Sequence, residues 1–250
     1  MREELRIFLE KAGAYTLTPL SQMLRLATRV PGLSDPPSMR KIYRLGQGTP
    51  DRMTDARARV LATLVEYGGL GFTLKELADL AGVTSSVVKG LAAQGAVVEI
   101  DTPRDAPFLP LDPERPGKPL TDDQQAAADA LRLAVRSGRY GTTLLKGVTG
   151  SGKTEVYLEA VADCLRAGRQ ALVLLPEIAL TSEFLHRVEA RFGAKPAEWH
   201  SGVTMTERRR AWRMIGQGEA QLIVGARSAL FLPFRDLGLI VVDEEHDSSY

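Results

Sequence analysis

A glycine-rich segment that ends in Lys153 and Thr154 has the residue types and the spacing to bind phosphate. The segment reads GVTGSGKT and fits the pattern G-x-x-x-x-G-K-[ST]. Glycines let backbone amides curl around phosphates at a helix N-terminus, where the helix dipole favours negative charge. We therefore expect Lys153 to reach the β- and γ-phosphates of ATP and the Thr154 hydroxyl to ligate Mg²⁺. The remaining phosphate contacts are expected from Gly147, Gly150, Ser151 and Gly152.

Acidic residues follow an apolar run near the end of the sequence and could hold the metal and direct a water molecule. The run Leu237–Val242 is followed by Asp243, Glu244, Glu245 and His246. Phosphoryl transfer needs one carboxylate for the metal and a neighbouring group that orients the attacking water. We assign Asp243 to Mg²⁺ and Glu244 to the water. From the residues alone, Glu245 could be an exposed charge and His246 an ordinary surface histidine.

The elements that must position these residues alternate between strands and helices from Leu120 onward. This alternation predicts an α/β fold in which a parallel sheet carries helices on both faces. Ligands bind such sheets at the carboxyl ends of the strands, where Asp243 would stand. The strand candidates are Thr142–Lys146, Gln170–Leu175, Gln221–Gly225 and Leu237–Val242. The helix after the phosphate loop should bury Val156, Tyr157, Ala160, Val161, Cys164 and Leu165, and end at Gly168.

A proline-rich run separates this part from an N-terminal part. Prolines recur from 103 to 119, and we interpret residues 103–119 as a semi-rigid linker between the N-terminal part and residues 120–250. Residues 53–102 show the order helix, helix-turn-helix, strand that is typical of a small winged-helix domain. Thr73 and Glu76 form a capping box there, and Thr84 caps the next helix. Residues 1–52 are interpreted as a loosely structured helical and linker segment.

Composition narrows the class of protein. The 250 residues carry a net charge of +1, and 44% of them are apolar, which is ordinary for a globular chain. The longest apolar stretches are too short to span a bilayer and no signal peptide is evident, so we expect a cytoplasmic protein with no membrane partner. Cys164 is the single cysteine, which excludes an intramolecular disulfide and a cysteine zinc site within this sequence.

Several motifs together resemble those of the primosomal protein N′ family, the PriA replication-restart helicases of superfamily 2. The resemblance is nearly continuous over residues 140–250, and the winged-helix region agrees in position and kind. It implies a RecA-like motor lobe that follows a small winged-helix domain. The motifs are GVTGSGKTEVY at Gly147–Tyr157, PEIALT at Pro176–Thr181, HSG at His200–Gly202, GARSALFLPF at Gly225–Phe234 and DEEHDSSY at Asp243–Tyr250.

The resemblance also implies roles for particular residues. The segment LTDDQ is similar to the family's adenine-reading segment, so Gln124 is the expected base contact. His246 falls where the family couples nucleotide state to DNA. Thr181, Arg227 and Ser228 lie in segments that resemble those gripping single-stranded DNA along its backbone. The implied activity is ATP-driven 3′-to-5′ translocation and unwinding at stalled forks, with single-stranded and forked DNA, replication-restart proteins and single-strand-binding protein as partners.

The sequence departs from the family pattern at both ends. No counterpart is present for the domain that captures the nascent 3′ end, for the second motor lobe with its arginine finger, or for the zinc-binding cysteines. We therefore expect this chain to bind ATP with Mg²⁺ but to hydrolyse it poorly. A later strand would normally insert between the loop strand and the acidic strand, so we also expect apolar sheet edges that are open to other chains.

The residues alone leave two other interpretations of the function open. The chain could be a non-catalytic DNA- or protein-binding module in which the winged helix works and the ATPase lobe is vestigial. It could also come from another superfamily-2 translocase, such as a restriction-type motor. Specific base readout by the winged helix is not expected, because its third helix offers few side chains suited to base edges.

Overall fold

The protein is described by a computed structural model that covers residues 1–28, 30, 32–33, 38–68, 70–105, 107–148 and 150–244. The chain divides into two compact units. The first contains Met1–Ser34 together with Pro107–Tyr250, and the second is Asp35–Ala106. In the described part of the chain, no helix is long and apolar enough to cross a membrane.

The first unit begins with a helical hairpin, α1 (Glu3–Thr16) and α2 (Leu20–Thr28). The hairpin packs on later parts of the same unit. The Phe8 ring lies 5.8 Å from that of Phe231, and the indole Nε1 of Trp212 donates a hydrogen bond to the carbonyl oxygen of Ala27 over 2.9 Å. The helices were expected, whereas their packing was not, because amphipathic periodicity does not identify the surface on which a helix docks.

The second unit is a three-helix cluster beside a two-stranded sheet. Its elements are β1 (Met39–Leu45), α3 (Asp55–Glu66), α4 (Leu74–Ala81), α5 (Ser85–Ala93) and β2 (Val97–Pro103). The expected helices and the capping box of Thr73 and Glu76 are present. Thr84 is the N-cap residue of α5, but its hydroxyl contacts Ser86 Oγ at 2.7 Å and makes no capping bond to the backbone.

Strand β1 was missed in the sequence because it lies in the segment interpreted as a linker. It pairs antiparallel with β2, with Ile42 opposite Ile100. Its alternation is poor, because Arg40, Lys41 and Arg44 interrupt the apolar residues. Lys41 forms an ion pair with Glu99 on β2, and Tyr43 donates a hydrogen bond to the same carboxylate. Part of the positive charge of this strand is therefore neutralised within the unit.

The rest of the first unit has the alternating order that the sequence predicts. The elements are α6 (Asp122–Arg136), α7 (Lys153–Arg166), β3 (Gln170–Leu174), α8 (Ser182–Phe192), β4 (Ala197–Trp199), α9 (Met205–Gln217), β5 (Leu222–Gly225) and β6 (Leu237–Val242). Short 3-10 helices occupy Glu177–Ala179 and Arg227–Phe231. The described strands of this unit form a parallel sheet in the order β4-β5-β3-β6. The α/β fold of a partial RecA-like lobe is thus confirmed.

The strand expected at Thr142–Lys146 is not formed. Residues 140–148 have no regular structure, and the Leu144 side chain is 65% exposed. A strand needs a hydrogen-bonded neighbour, and among the described residues β6 pairs only with β3 on its inner side. The outer edge of β6 stays open, with Ile240 43% and Val242 47% exposed. The prediction of a strand at Thr142–Lys146 is therefore wrong, because an apolar pattern by itself does not determine which strand, if any, a segment pairs with.

Helix α7 is the central helix of the unit and is buried on every side. The six apolar residues expected to be buried are buried, and Glu159 and Asp163 are buried as well. Asp163 forms ion pairs of 2.6 Å with Arg136 of α6 and with Arg166, and Glu159 pairs with Arg132 and Arg191. Buried charge is tolerated only when it is paired, so these contacts are what allow α7 to be enclosed.

Part of the proline-rich segment packs on this unit instead of spanning open space. The amide of Asp112 donates to the carbonyl oxygen of Phe192 over 2.8 Å, and Arg191 donates to the carbonyl oxygen of Arg115. Arg166 donates to the carbonyl oxygen of Pro113 over 2.8 Å. Proline prevents regular structure here, yet the carbonyl oxygens remain available as acceptors for arginines.

Candidate nucleotide-binding site

The phosphate loop leads directly into α7, whose first residue is Lys153. Gly150 and Gly152 have φ values of 78° and 80°, which side-chain-bearing residues rarely adopt. A Cβ added at Gly152 would lie 2.5 Å from Gln124 Nε2, so this position has no room for a side chain. No side chain caps the first turn of α7, which leaves its amides available to an anion. Thr149 lies outside the described residues.

Lys153 folds back over the loop that precedes it. Its Nζ donates to the carbonyl oxygen of Gly147 over 2.7 Å and approaches that of Val148 at 3.4 Å. A Cβ at Gly147 would lie 2.5 Å from Ser151 Oγ, so the two ends of the loop lie too close together to admit a side chain at Gly147. The ammonium group is therefore held within the loop, beside the amides that would surround a phosphate.

Gln124 connects the start of α6 to the phosphate loop. Its Nε2 donates to the carbonyl oxygen of Ser151 over 2.8 Å, and its Oε1 accepts from the amide of Thr121 over 2.9 Å. The second bond belongs to a capping box that begins α6. The side chain predicted to contact the base is thus fixed at both ends beside the loop. The sequence indicated the residue but not its contact with Ser151.

Asp243 stands at the carboxyl end of β6, as the pattern predicts. Its backbone amide donates to the carbonyl oxygen of Leu174 over 3.0 Å, which continues the pairing of β6 with β3. Its Oδ1 accepts from the amide of Glu244 over 3.0 Å, and its Oδ2 accepts from the hydroxyl of Tyr157 over 2.9 Å. Glu244 has a φ of 54°, in the left-handed region, so the chain turns sharply at the strand end. His246 and Glu245 lie outside the described residues.

Tyr157 is a site residue that the sequence analysis placed only in the buried stripe. It is 4% exposed, and its hydroxyl donates a hydrogen bond to Asp243 Oδ2. Burial, followed by the charge of Asp243 and the hydrogen bond to it, raises the pKa of this phenol, so Tyr157 stays protonated as a donor. Its spacing of three residues from Thr154 on a helix was the available signal.

The oxygen atoms that the site offers suit a magnesium ion that is bound jointly by the protein and by nucleotide phosphates. Among the described residues, no group of three or more His, Cys, Asp or Glu side chains could hold a metal by itself. Mg²⁺ is commonly bound by one or two protein oxygens plus substrate phosphates. One carboxylate on β6, one hydroxyl on α7 and a phosphate loop between glycines match that chemistry, and Thr154 and Asp243 are the residues that would hold the ion.

The three residues expected to touch DNA lie at the same carboxyl edge of the sheet. Thr181 follows β3, and Arg227 and Ser228 follow β5, the neighbouring strand. All three are exposed. The hydroxyl oxygen of Thr181 accepts from the amide of Phe184 over 3.2 Å and so caps α8. Arg227 begins the short helix that ends at Phe231, the residue against which Phe8 packs.

Comparison with known proteins gives the class that this fold and site define. Residues 121–250, more than half of the chain, match the DEAD/DEAH box helicase family, and the chain belongs to that family. It is also similar to individual proteins named replication restart protein PriA. The identity is 37% over 219 residues with the Bacillus subtilis (strain 168) protein, covering 85% of this chain and 27% of that protein.

Two further relatives carry the same name. The protein of Synechocystis sp. is 39% identical over 199 residues, which cover 80% of this chain and 24% of that protein. The protein of Rickettsia conorii is 54% identical over 131 residues, or 52% of this chain and 19% of that protein. The chain thus spans about a quarter of the length of the curated relatives it matches.

Proposed function

We propose that the chain contributes the ATP-binding lobe of a 3′-to-5′ DNA helicase or translocase that restarts stalled replication forks during primosome assembly. Membership of the DEAD/DEAH box helicase family and similarity to proteins named for replication restart support this function. The observation that carries it is local. The Tyr157 hydroxyl, on the helix that begins at the phosphate loop, donates to Asp243 at the end of β6, which supports a single site that includes both candidate metal ligands.

The proposed chemistry of the lobe is nucleotide binding with Mg²⁺. The backbone at Gly147, Gly150, Ser151 and Gly152 holds the phosphates, and Lys153 adds positive charge there. Thr154 and Asp243 hold the ion, which neutralises charge on the phosphates when it is bound. Glu244, next along the chain, orients the attacking water, and Gln124 contacts the base.

The proposed DNA contacts lie at the edge of the sheet that also bears Asp243. Arg227 offers a guanidinium to a phosphate, and the exposed hydroxyl of Ser228 offers a hydrogen bond. Thr181 would contact the neighbouring phosphate. His246 would couple the nucleotide state to DNA. Single-stranded and forked DNA, replication-restart proteins and single-strand-binding protein are the proposed partners, in the cytoplasm.

Slow turnover is proposed for this chain on its own. Motor ATPases of this type complete their transition state with an arginine finger, which contributes about 10³- to 10⁵-fold to the rate. The chain spans about a quarter of the length of the relatives it matches, and no arginine of its described residues is assigned to this role. Binding of ATP with Mg²⁺ is therefore expected without rapid hydrolysis or strand separation.

The test measures ATP binding and turnover by the 250-residue chain, with and without forked DNA. Lys153→Ala should abolish binding, whereas Lys195→Ala, at an exposed lysine ahead of β4, should leave it intact. Binding lost only in Lys153→Ala, with turnover near background, supports the proposal. Rapid DNA-stimulated turnover that Lys153→Ala abolishes would show that the lobe is an autonomous ATPase.

The same experiment separates the alternative function. One outcome is that neither the wild-type chain nor Lys153→Ala binds ATP, while DNA binding survives Lys153→Ala but is lost when residues 53–102 are removed. In that case the chain is a non-catalytic binding module. That result would overturn the proposal, because the phosphate loop would then contribute nothing measurable.

A further inference from the structure

One buried hydroxyl group joins the helix that bears Thr154 to the carboxylate of Asp243. Tyr157 Oη lies 2.9 Å from Asp243 Oδ2. Thr154 and Tyr157 are three residues apart on α7 and so share one face of that helix. Asp243 comes from a different element, the end of β6. The phenol therefore connects the helix that begins at the phosphate loop with the strand that bears the carboxylate.

The direction of hydrogen bonding in this group is fixed by chemistry. Asp243 as a carboxylate only accepts, so the phenolic proton of Tyr157 must point toward Oδ2. Because Tyr157 is 4% exposed, water cannot readily replace this bond.

The hydrogen bond from Tyr157 also orients the carboxylate of Asp243. Its Oδ1 accepts from the amide of the next residue, Glu244, and its Oδ2 accepts from Tyr157. The first bond comes from a neighbour at a chain reversal, where Glu244 has a φ of 54°. The second bond comes from the rigid, enclosed helix α7. Tyr157 is thus a link between the carboxylate and the core of the unit.

We propose that Tyr157 is a positioning residue for the magnesium site, holding the Asp243 carboxylate in the orientation that the ion requires beside the helix that bears Thr154. This inference rests on the proposed function, in which the lobe binds ATP with Mg²⁺. Residues that orient a metal ligand from outside the coordination sphere commonly change metal affinity by 10- to 100-fold when they are replaced. The hydroxyl needs no direct contact with the ion for this effect.

The competing explanation is that Asp243 only serves as the hydrogen-bond acceptor that the buried hydroxyl of Tyr157 needs. A buried phenol almost always finds a hydrogen-bond partner, and the ring itself packs in the core cluster with Val161 and Val173. Phenylalanine would keep that packing and remove only the hydroxyl. The two explanations differ in magnesium dependence, which a packing role does not alter.

The experiment compares the full chain with its Tyr157→Phe variant, using a fluorescent ATP analogue and a Mg²⁺ titration. The variant should need about 10-fold more Mg²⁺ for half-maximal binding of the analogue, while binding in excess chelator should be unchanged. Tyr140→Phe is the matched control. The Tyr140 side chain is 97% exposed, so loss of its hydroxyl leaves no buried group without a hydrogen-bond partner. Asp243→Asn provides the reference for a lost metal ligand.

Crystal structures of the wild-type chain and Tyr157→Phe without nucleotide provide the second measurement. The Asp243 carboxylate should be turned away from its wild-type orientation in the variant. An unchanged carboxylate, an unchanged Mg²⁺ requirement, or tighter Mg²⁺ binding by Tyr157→Phe would each overturn the inference. Failure of the wild-type chain to bind the analogue would defeat the proposed function instead, while the structures would still test whether Tyr157 orients Asp243.

Discussion

The side-chain nitrogen of Gln124 lies 2.8 Å from the carbonyl oxygen of Ser151, inside the phosphate loop. The contact joins two segments that are 27 residues apart in sequence. A carbonyl oxygen repels phosphate, and this hydrogen bond pairs the carbonyl oxygen of Ser151 with a donor from α6. The bond therefore favours a loop in which amides, not carbonyls, face the nucleotide.

Replacing Gln124 by glutamate should weaken ATP binding by about 10-fold, which is the effect of losing about 1.4 kcal/mol. Glutamate can keep the capping bond to Thr121, but it cannot donate to Ser151 and it adds negative charge beside the loop. Isothermal titration with ATP and Mg²⁺ measures the effect. Gln125→Glu, at the exposed next position, is the control. Equal affinity of Gln124→Glu and wild type would show that the contact is irrelevant to binding.

Gln170 should be one of the most sensitive positions for stability. Its amide is 2% exposed and makes every hydrogen bond available to it. Gln170→Leu should lower the free energy of unfolding by about 3 kcal/mol, because several buried backbone groups would lose their partners. Urea unfolding measures this loss, and Gln125→Leu at an exposed site should change little. The partners are the carbonyl oxygens of Ile215 and Ala220 and the amides of Arg235 and Asp236.

The N-terminal hairpin should be loosened by loss of a single hydrogen bond. Trp212→Phe removes the donor to the carbonyl oxygen of Ala27, a residue that is 3% exposed. We expect a cost of about 1 kcal/mol and faster proteolytic cleavage within residues 1–28. Tyr15→Ala, at a side chain that is 91% exposed, serves as the control. Cleavage at the wild-type rate would mean that other contacts hold the hairpin.

Acid should destabilise the lobe through Asp163. Burial opposes ionisation of this carboxyl, but the ion pairs with Arg136 and Arg166 outweigh burial and hold its pKa below the ordinary 3.8. Its contribution to stability is therefore complete above pH 3.8 and is lost as the pH falls through the lower folded value. Asp163→Asn should be less stable at pH 7 by about 2 kcal/mol and lose less stability on acidification. Thermal melts from pH 7 to pH 3 test this, and parallel curves for both proteins would contradict it.

The sequence predicted the structure best at positions where the residue type has one specific structural role. The glycines of the phosphate loop predicted the start of α7, and an apolar run that ends in carboxylates predicted β6. The capping box at Thr73 and the end of β6 at Val242 followed from similarly local rules. Each of these features depends on neighbours in sequence, and a single sequence contains that information.

Contacts between distant segments could not be predicted in the same way. The hydroxyl of Tyr157 meets Asp243 across 86 residues, and Trp212 meets Ala27 across 185. Periodicity identified Tyr157 as buried without specifying what its hydroxyl would touch. The strand expected at Thr142–Lys146 failed for the same reason, because apolar composition gives strand propensity but does not supply a neighbouring strand.

The open edge of β6 has a consequence for how fast different parts of the sheet exchange amide hydrogens with deuterated water. Within the described residues, β5 is bonded on both sides, to β3 and β4, whereas β6 is bonded only to β3. Amides on the outer side of β6 should be labelled early, while those of β5 should be labelled last. Strand β6, which precedes Asp243, is therefore with β4 one of the two edge strands whose local opening costs less than that of β3 and β5. Any partner that covers this edge would slow labelling of β6 before it altered the rest of the lobe.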